Sequence, residues 1–290
     1  MTRRVPSPRE AWRRSVLSAG LLGTLLATPA RAATPPPATT PTGAEIMTRC
    51  VAAWYYPGRD MVARLRMEIV DRGGGTSHRV MTMFRKNMGG DGEEQRYLLY
   101  FHEPGDVRRM TCMVWKHIGG DDERWMFVPA IERIRRVAAP ERSRFLGSDF
   151  AREEFSGRDA VADSHVVVGL TRHRGRTCWI VESTPRVATD FARMTTWVDT
   201  TTCLPWTQEF RNSRGDVFRT FTTDRVKGIR APGGRTIPTV VERSLWGRDR
   251  KQHTRLLHLG VRYDVGLADA DFAEAHLAVP LEAWYRGPRP

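Results

Sequence analysis

The feature that most restricts this chain is a long succession of short segments in which apolar and polar residues alternate, each closed by a turn rich in glycine and aspartate. In "ARLRMEIVD", Leu65, Met67 and Ile69 fall on one side and Arg64, Arg66 and Glu68 on the other, the period-two pattern of a half-buried strand. "HRVMTMFRKNM", "QRYLLYFHE", "RRMTCMVWKHI" and "RWMFVP" follow, parted by "DRGGGTS", "GGDGEE", "EPGDV" and "GGDDE". Turn-forming gaps at this interval mark hairpins. Alternation lapses after Pro129, through "PAIERIRRVAAPERSRFLGSDFAREEFSG", and resumes in seven further segments from "DSHVVVGLTRHR" to "HTRLLHLGVRY". The expected fold is therefore mainly β (α+β). It is an antiparallel sheet of about 11–12 strands, too large to stay flat.

Only three stretches have helical spacing. Ile46, Met47, Cys50, Val51 and Trp54 step by three and four residues until Pro57-Gly58 stops them. A second, short helix is expected in "RFLGSDFAREEF", turned at Gly147, capped by Ser148 and Asp149, with Glu153 and Glu154 near its positive end. A third is expected over 269–277, "DADFAEAHL". Three short helices cannot plate so large a sheet. A strongly curved sheet bent around them needs less cover and forms an unclosed half-barrel with an apolar interior. The segment carrying Phe145, Leu146, Phe150 and Phe155 then reads as a plug or lid for that hollow, or as ordinary packing of helix on sheet.

Residues 1–32 have the basic head, the apolar core "VLSAGLLGTLLA" and the Ala30-Arg31-Ala32 ending of a secretory signal peptide, and Arg13-Arg14 also suits twin-arginine export. Residues 33–43, "ATPPPATTPTG", form a Pro/Thr-rich linker, and 44–290 are expected to make one domain. The formal charge is +13, and removing residues 1–32 takes away six arginines and one glutamate. In a bacterial envelope such a surplus points to lipid phosphates rather than nucleic acid, or to an arginine-rich composition at large. The four cysteines have no C-x-x-C spacing. Cys178 and Cys203 lie on neighbouring hairpin arms and are expected to bridge in an oxidising compartment. The eight histidines show no zinc-protease spacing and no G-x-S-x-G is present. No catalytic residue, metal or cofactor is expected, and Asp121-Asp122-Glu123 reads as a solvated turn rather than a calcium loop.

The run "DDERWMFVPAIERIRRVAAPERSRFLGSDFAREEF" resembles a branch of the LolA/LolB superfamily described as outer-membrane lipoprotein-sorting-like. Asp121, Asp122, Trp125, Phe127, Pro129, Ala130, Arg135, Arg136, Phe145, Gly147, Ser148, Asp149, Phe150, Glu153 and Glu154 match that branch in order. Phe101, Pro104 and Asp106 resemble its lead-in, and "VDTTTCLPWTQEF" resembles its D-x-x-T-x-L-P turn with Cys203 in place of the usual glycine. The resemblance implies a LolA-like incomplete barrel with helices over its mouth. It also implies a periplasmic role holding acyl chains of a lipid or lipoprotein, passed between an inner-membrane exporter and an outer-membrane acceptor by peripheral membrane contact. On that reading Met113, Trp115, Trp125, Phe127, Ile131, Phe145, Leu146, Phe150 and Phe155 line the acyl-chain cavity and lid. Arg133, Arg135 and Arg136 meet lipid head groups, for which guanidinium is well shaped. The arginine with which LolA ties its lid has no unique counterpart in this sequence. The competing reading is an envelope sensor or exporter-accessory interaction module with its hollow filled by its own side chains. An apolar cavity of a few hundred Å³ favours the carrier, a packed interior the module.

Overall fold

The computed structural model describes residues 40–89, 94–137, 145, 148–150, 153–248 and 251–278. The expected signal peptide and most of the linker lie outside the described residues, as do Leu146 and Gly147. The first element is α1 (Gly43–Tyr55), started by Thr42. The Thr42 hydroxyl accepts the Glu45 N–H at 3.2 Å and the Glu45 carboxylate accepts the Thr42 N–H at 2.8 Å. This reciprocal capping box starts the helix one residue inside the expected linker.

Thirteen strands follow, one or two more than expected. They are β1 (Asp60–Val70), β2 (Thr76–Met88), β3 (Glu94–Glu103), β4 (Thr111–His117), β5 (Glu123–Val128) and β6 (Arg133–Val137), then β7 (Asp163–His173), β8 (Arg176–Pro185), β9 (Arg193–Asp199), β10 (Pro205–Arg211), β11 (Val217–Arg230), β12 (Thr236–Gly247) and β13 (His253–Tyr263). All belong to one sheet in the order β6-β5-β4-β3-β2-β1-β13-β12-β11-β10-β9-β8-β7, every pairing antiparallel. Each hairpin pairs neighbours in sequence, and β1 with β13 joins the first strand to the last. Only β6 and β7, consecutive in the chain, are left unpaired to each other. The sheet is thus a meander opened at one seam, and residues 138–162 connect its two edges.

The sheet is bent. α1 packs on β7, β8 and β12, and Trp54 lies 4.8 Å from Phe221 of β11. Phe145 reaches Phe101 of β3 at 6.1 Å. One helix and one connection touching strands from both halves of the sheet require a concave face. That face holds the main core, including Leu65, Met67, Met81, Leu256 and the aromatic residues named above. A second cluster lies on the convex face, where Val62, Phe84, Leu98, Met113, Trp125 and Phe127 are covered by Phe272 and Leu277.

Two expectations change. Among the described residues after Phe145, the segment is α-helical over α2 (Glu153–Ser156). Phe145, Phe150 and Phe155 are five residues apart, a spacing that scatters them around a helix but lets a loop gather them. Ser148 and Asp149 take part in contacts within the segment and with β13. The Ser148 hydroxyl accepts the Phe150 N–H at 3.2 Å, and the Phe145 N–H meets the Phe150 carbonyl at 2.8 Å, closing a local loop. Short polar side chains compete in this way with helix formation. The C-terminal stretch forms two 3₁₀ turns, Asp269–Phe272 and Glu274–His276, rather than one helix.

Cys178 and Cys203 are free thiols, so the expected bridge between them is not made. Strand pairing brings the two segments together, with Cys178 opposite Asp199 and the Cys203 N–H on the Asp199 carbonyl. Adjacent backbones do not by themselves aim two Cβ atoms at one another. Cys203 has φ +56°, a left-handed conformation that suits the glycine of the resembling family.

Candidate functional site

The hollow of the half-barrel is filled by the connection between its two edges. Phe145 and Phe155 have ring centroids 4.3 Å apart, and Phe150 stands 5.5 Å from Phe155. All three are nearly inaccessible and belong to the concave core. The segment is tied to β13 through Asp149. Its carboxylate accepts the Thr254 hydroxyl at 2.9 Å and the Gln252 amide at 2.6 Å, and its N–H donates to the Thr254 hydroxyl at 3.0 Å.

Its far end is held by side chains that donate to two backbone oxygens of α2. The Glu154 carbonyl accepts Tyr55 Oη at 3.1 Å and Arg243 Nη2 at 3.4 Å. The Ser156 carbonyl accepts Tyr97 Oη at 3.1 Å and Tyr56 Oη at 3.4 Å. Burial raises the pKa of all three phenols, so they stay protonated donors. At Tyr55 the charge of Arg243 opposes the rise, as that of Arg85 does at Tyr97.

Arg219 and Arg243 both enter the hollow and are treated differently. Arg219 is paired with carboxylates, Glu154 at 3.2 Å and Asp190 at 3.0 Å. Arg243 is 4% exposed. Its guanidinium lies 4.9 Å over Phe150 and 5.3 Å over Trp54, contacts that stabilise a cation through the ring quadrupole. His258 lines the same small space, and its pKa is pushed down to about 3, first by burial and then by the charge of Arg243.

At the seam, Lys116 of β4 is 4% exposed and pairs with Asp159 at 2.7 Å and Asp122 at 3.8 Å. Arg124 completes the group at 2.6 Å from Asp122, and the Gly119 N–H donates to Asp159 at 3.0 Å. Asp122 is therefore not a solvated turn residue. It belongs to an ion cluster that fastens the β4–β5 hairpin to the segment entering β7. Among the described residues no three His, Cys, Asp or Glu side chains gather as a metal-binding group.

The residues named as an acyl-chain site divide. Phe145, Phe150 and Phe155 share the hollow. Met113, Trp115, Trp125 and Phe127 lie on the convex face under the C-terminal turns, where Trp115 Nε1 donates to the Phe272 carbonyl at 3.1 Å. Ile131 is 47% exposed in the turn between β5 and β6. Arg133, Arg135 and Arg136 are exposed on edge strand β6, and alternation turns Arg136 to the face opposite the other two. Arg136 pairs with Glu123 at 2.5 Å and lies 5.7 Å over Trp125. These arginines do not form one patch.

Arg243, Tyr55, Tyr56 and Tyr97 were not singled out in the sequence. One signal was present: Arg243 stands two residues before Leu245, placing a cation on an otherwise apolar strand face.

The hollow has little free volume. Two apolar-lined spaces of about 50 and 40 Å³ remain beside α1 and beneath α2, far below the roughly 300 Å³ at which ligand pockets begin. The larger spaces are open and polar, one of about 520 Å³ by Arg59, Lys86 and Arg235 and one of about 200 Å³ at the Lys116 cluster. Phe145, Phe150 and Phe155 stand where the expected open cavity would lie.

An open antiparallel sheet wound around its own plug defines an unclosed half-barrel. A family model described as "-like: Uncharacterized protein" matches residues 93–279. A DUF1329 family protein from Desulfovibrio piger is similar at 25% identity, over 81% of this chain and 97% of that one, with TM-score 0.72. A putative outer membrane lipoprotein-sorting protein domain from Vibrio parahaemolyticus is 22% identical over 81% of this chain and 98% of that one, also with TM-score 0.72. A LolA superfamily protein from Nitrosomonas europaea shares the fold at 14% identity, over 82% of this chain and all 100% of that one, with TM-score 0.60. No curated protein shows a significant match. The chain belongs to the matched family and shares the LolA-like fold.

Proposed function

We propose that the protein is a periplasmic carrier of acyl chains whose hollow is closed in its resting state and is created by displacing the segment that fills it. One observation carries this reading. Three of the aromatic rings in the hollow, Phe145, Phe150 and Phe155, come from the connection between the unpaired edges β6 and β7 and not from the sheet or α1. Phe145, Phe150 and Phe155 can leave without breaking a single strand pairing. An acyl chain entering in their place regains apolar contact at about 0.8 kcal/mol per methylene, which offsets the loss of the rings. Residues 44–290 act as one domain on this reading. The similarity to an outer membrane lipoprotein-sorting domain and the expected signal peptide support the compartment, with an inner-membrane exporter and an outer-membrane acceptor as exchange partners. No catalytic step is needed. No helix among the described residues is long and apolar enough to cross a membrane, in keeping with peripheral contact.

The packed interior favours a second reading, an interaction module that carries no ligand. Native mass spectrometry of protein purified without detergent, followed by titration of the delipidated protein with a fluorescent acyl probe, separates the two. Copurified lipid, or saturable uptake of one probe per chain, is the expected result. No bound lipid and no uptake favours the module.

A further inference from the structure

We propose that the ligand is an acyl chain with an anionic head, carboxylate or phosphate, and that Arg243 and Tyr55 form the head-group site, which the Glu154 carbonyl occupies in the closed state. The proposal rests on the carrier reading above and names its substrate class.

The argument starts from charge. Arg243 is nearly inaccessible, yet among the described residues no carboxylate pairs with it; its guanidinium donates to the Glu154 carbonyl at 3.4 Å and lies against the Tyr55 hydroxyl. Arg219, a neighbour in the same hollow, has two carboxylates. A buried guanidinium carries five donors and a full charge, and leaving them unsatisfied is costly. In the closed state the cost is reduced by the rings of Phe150 and Trp54 and by the Glu154 oxygen. Two of these three, Phe150 and the Glu154 carbonyl, sit on the segment that must leave for an acyl chain to enter. A neutral tail replaces the apolar contact of Phe150 and leaves the cation stripped of its acceptor. A tail ending in an anionic oxygen replaces both.

The donors are already assembled for such an oxygen. Tyr55 Oη and Arg243 Nη2 converge on one carbonyl oxygen, while Tyr97 and Tyr56 converge on the Ser156 carbonyl two residues further along. All four donors stand on α1, the turn after it, β3 and β12, outside the displaced segment. Charge-assisted hydrogen bonds from arginine and phenol are stronger to an anion than to an amide oxygen, so the exchange favours the charged ligand. The site lies deep in the hollow, so the ligand enters head first.

The test compares four probes on the delipidated mature chain by calorimetry: palmitate, hexadecyl phosphate, methyl palmitate and inorganic phosphate. Palmitate and hexadecyl phosphate are expected to bind at least about tenfold tighter than methyl palmitate, and inorganic phosphate to show no measurable binding. The relative strength of the first two tells carboxylate from phosphate. Arg243→Gln is expected to bring the palmitate to methyl palmitate ratio down to about one, and Arg243→Lys to restore most of the preference. Should the arginine variants not fold, Tyr55→Phe is expected to weaken palmitate about threefold or more relative to the ester. Equal affinity of wild-type protein for acid and ester overturns the head-group site while leaving the carrier intact. Inorganic phosphate binding as tightly as hexadecyl phosphate overturns the acyl ligand. No binding of any tailed probe overturns the carrier reading and this inference together.

Discussion

His258 shows how a single side chain can couple this fold to pH. Its proton affinity in the folded chain is pushed down to about 3 by burial, with Arg243 adding to the effect, whereas an unfolded histidine takes up its proton near 6.5. Between those values the unfolded state holds more protons. Stability therefore falls as pH is lowered from about 6.5 and is fully retained above it, by up to about 1.4 kcal/mol per pH unit for this residue. His102, lowered to about 4 by burial and then by Arg64, acts with the same sign. Thermal melts of wild type and His258→Gln at pH 7.0, 5.5 and 4.5 are expected to give a shallower pH slope for the variant. Identical slopes would show that His258 takes no part.

Among the elements, the connection between the sheet edges behaves as a unit fastened at two places. Asp149 is one fastening, through Thr254 and Gln252; the α2 carbonyls are the other. Asp149→Ala removes two charge-assisted hydrogen bonds and is expected to cost about 2–3 kcal/mol of local stability. Hydrogen exchange should accelerate in the amides of 145–157 and stay unchanged in β1, β2 and β13, and acyl-probe uptake should quicken. Acceleration spread evenly over the sheet would mean that the segment is not a separable unit. This element was only half legible in the sequence. Its apolar content and its position at the break in alternation marked it as a filler of the hollow. Its conformation was not marked, because Ser148 and Asp149 have equal use as helix caps and as loop or cross-strand partners. Which use prevails depends on Thr254, about a hundred residues away.

Across the whole molecule, the seam between β6 and β7 is spanned by the Lys116, Asp122, Arg124 and Asp159 cluster, which joins the β4–β5 hairpin to the approach to β7. Removing one member leaves the others buried and uncompensated. Lys116→Met is expected to destabilise by about 3–5 kcal/mol, read as a lower melting temperature, and to widen the seam, read as faster exchange at 157–163; wild-type stability would mean that the cluster closes nothing. The spacing of most strands, their antiparallel pairing and the one interruption were written in the sequence, because period and turn chemistry are local; the strand number came out one or two short. Which phenylalanines meet, which arginine is enclosed and where the tryptophans of β4 and β5 point were decided by the tertiary structure. In β4 and β5 both strand faces are apolar, with Cys112, Val114 and Met126 on the side opposite Met113, Trp115 and Trp125. Alternation assigns two faces to a strand, but the direction in which the sheet bends decides which face is enclosed. That direction is set by contacts of α1 and the 145–156 segment with strands far along the chain.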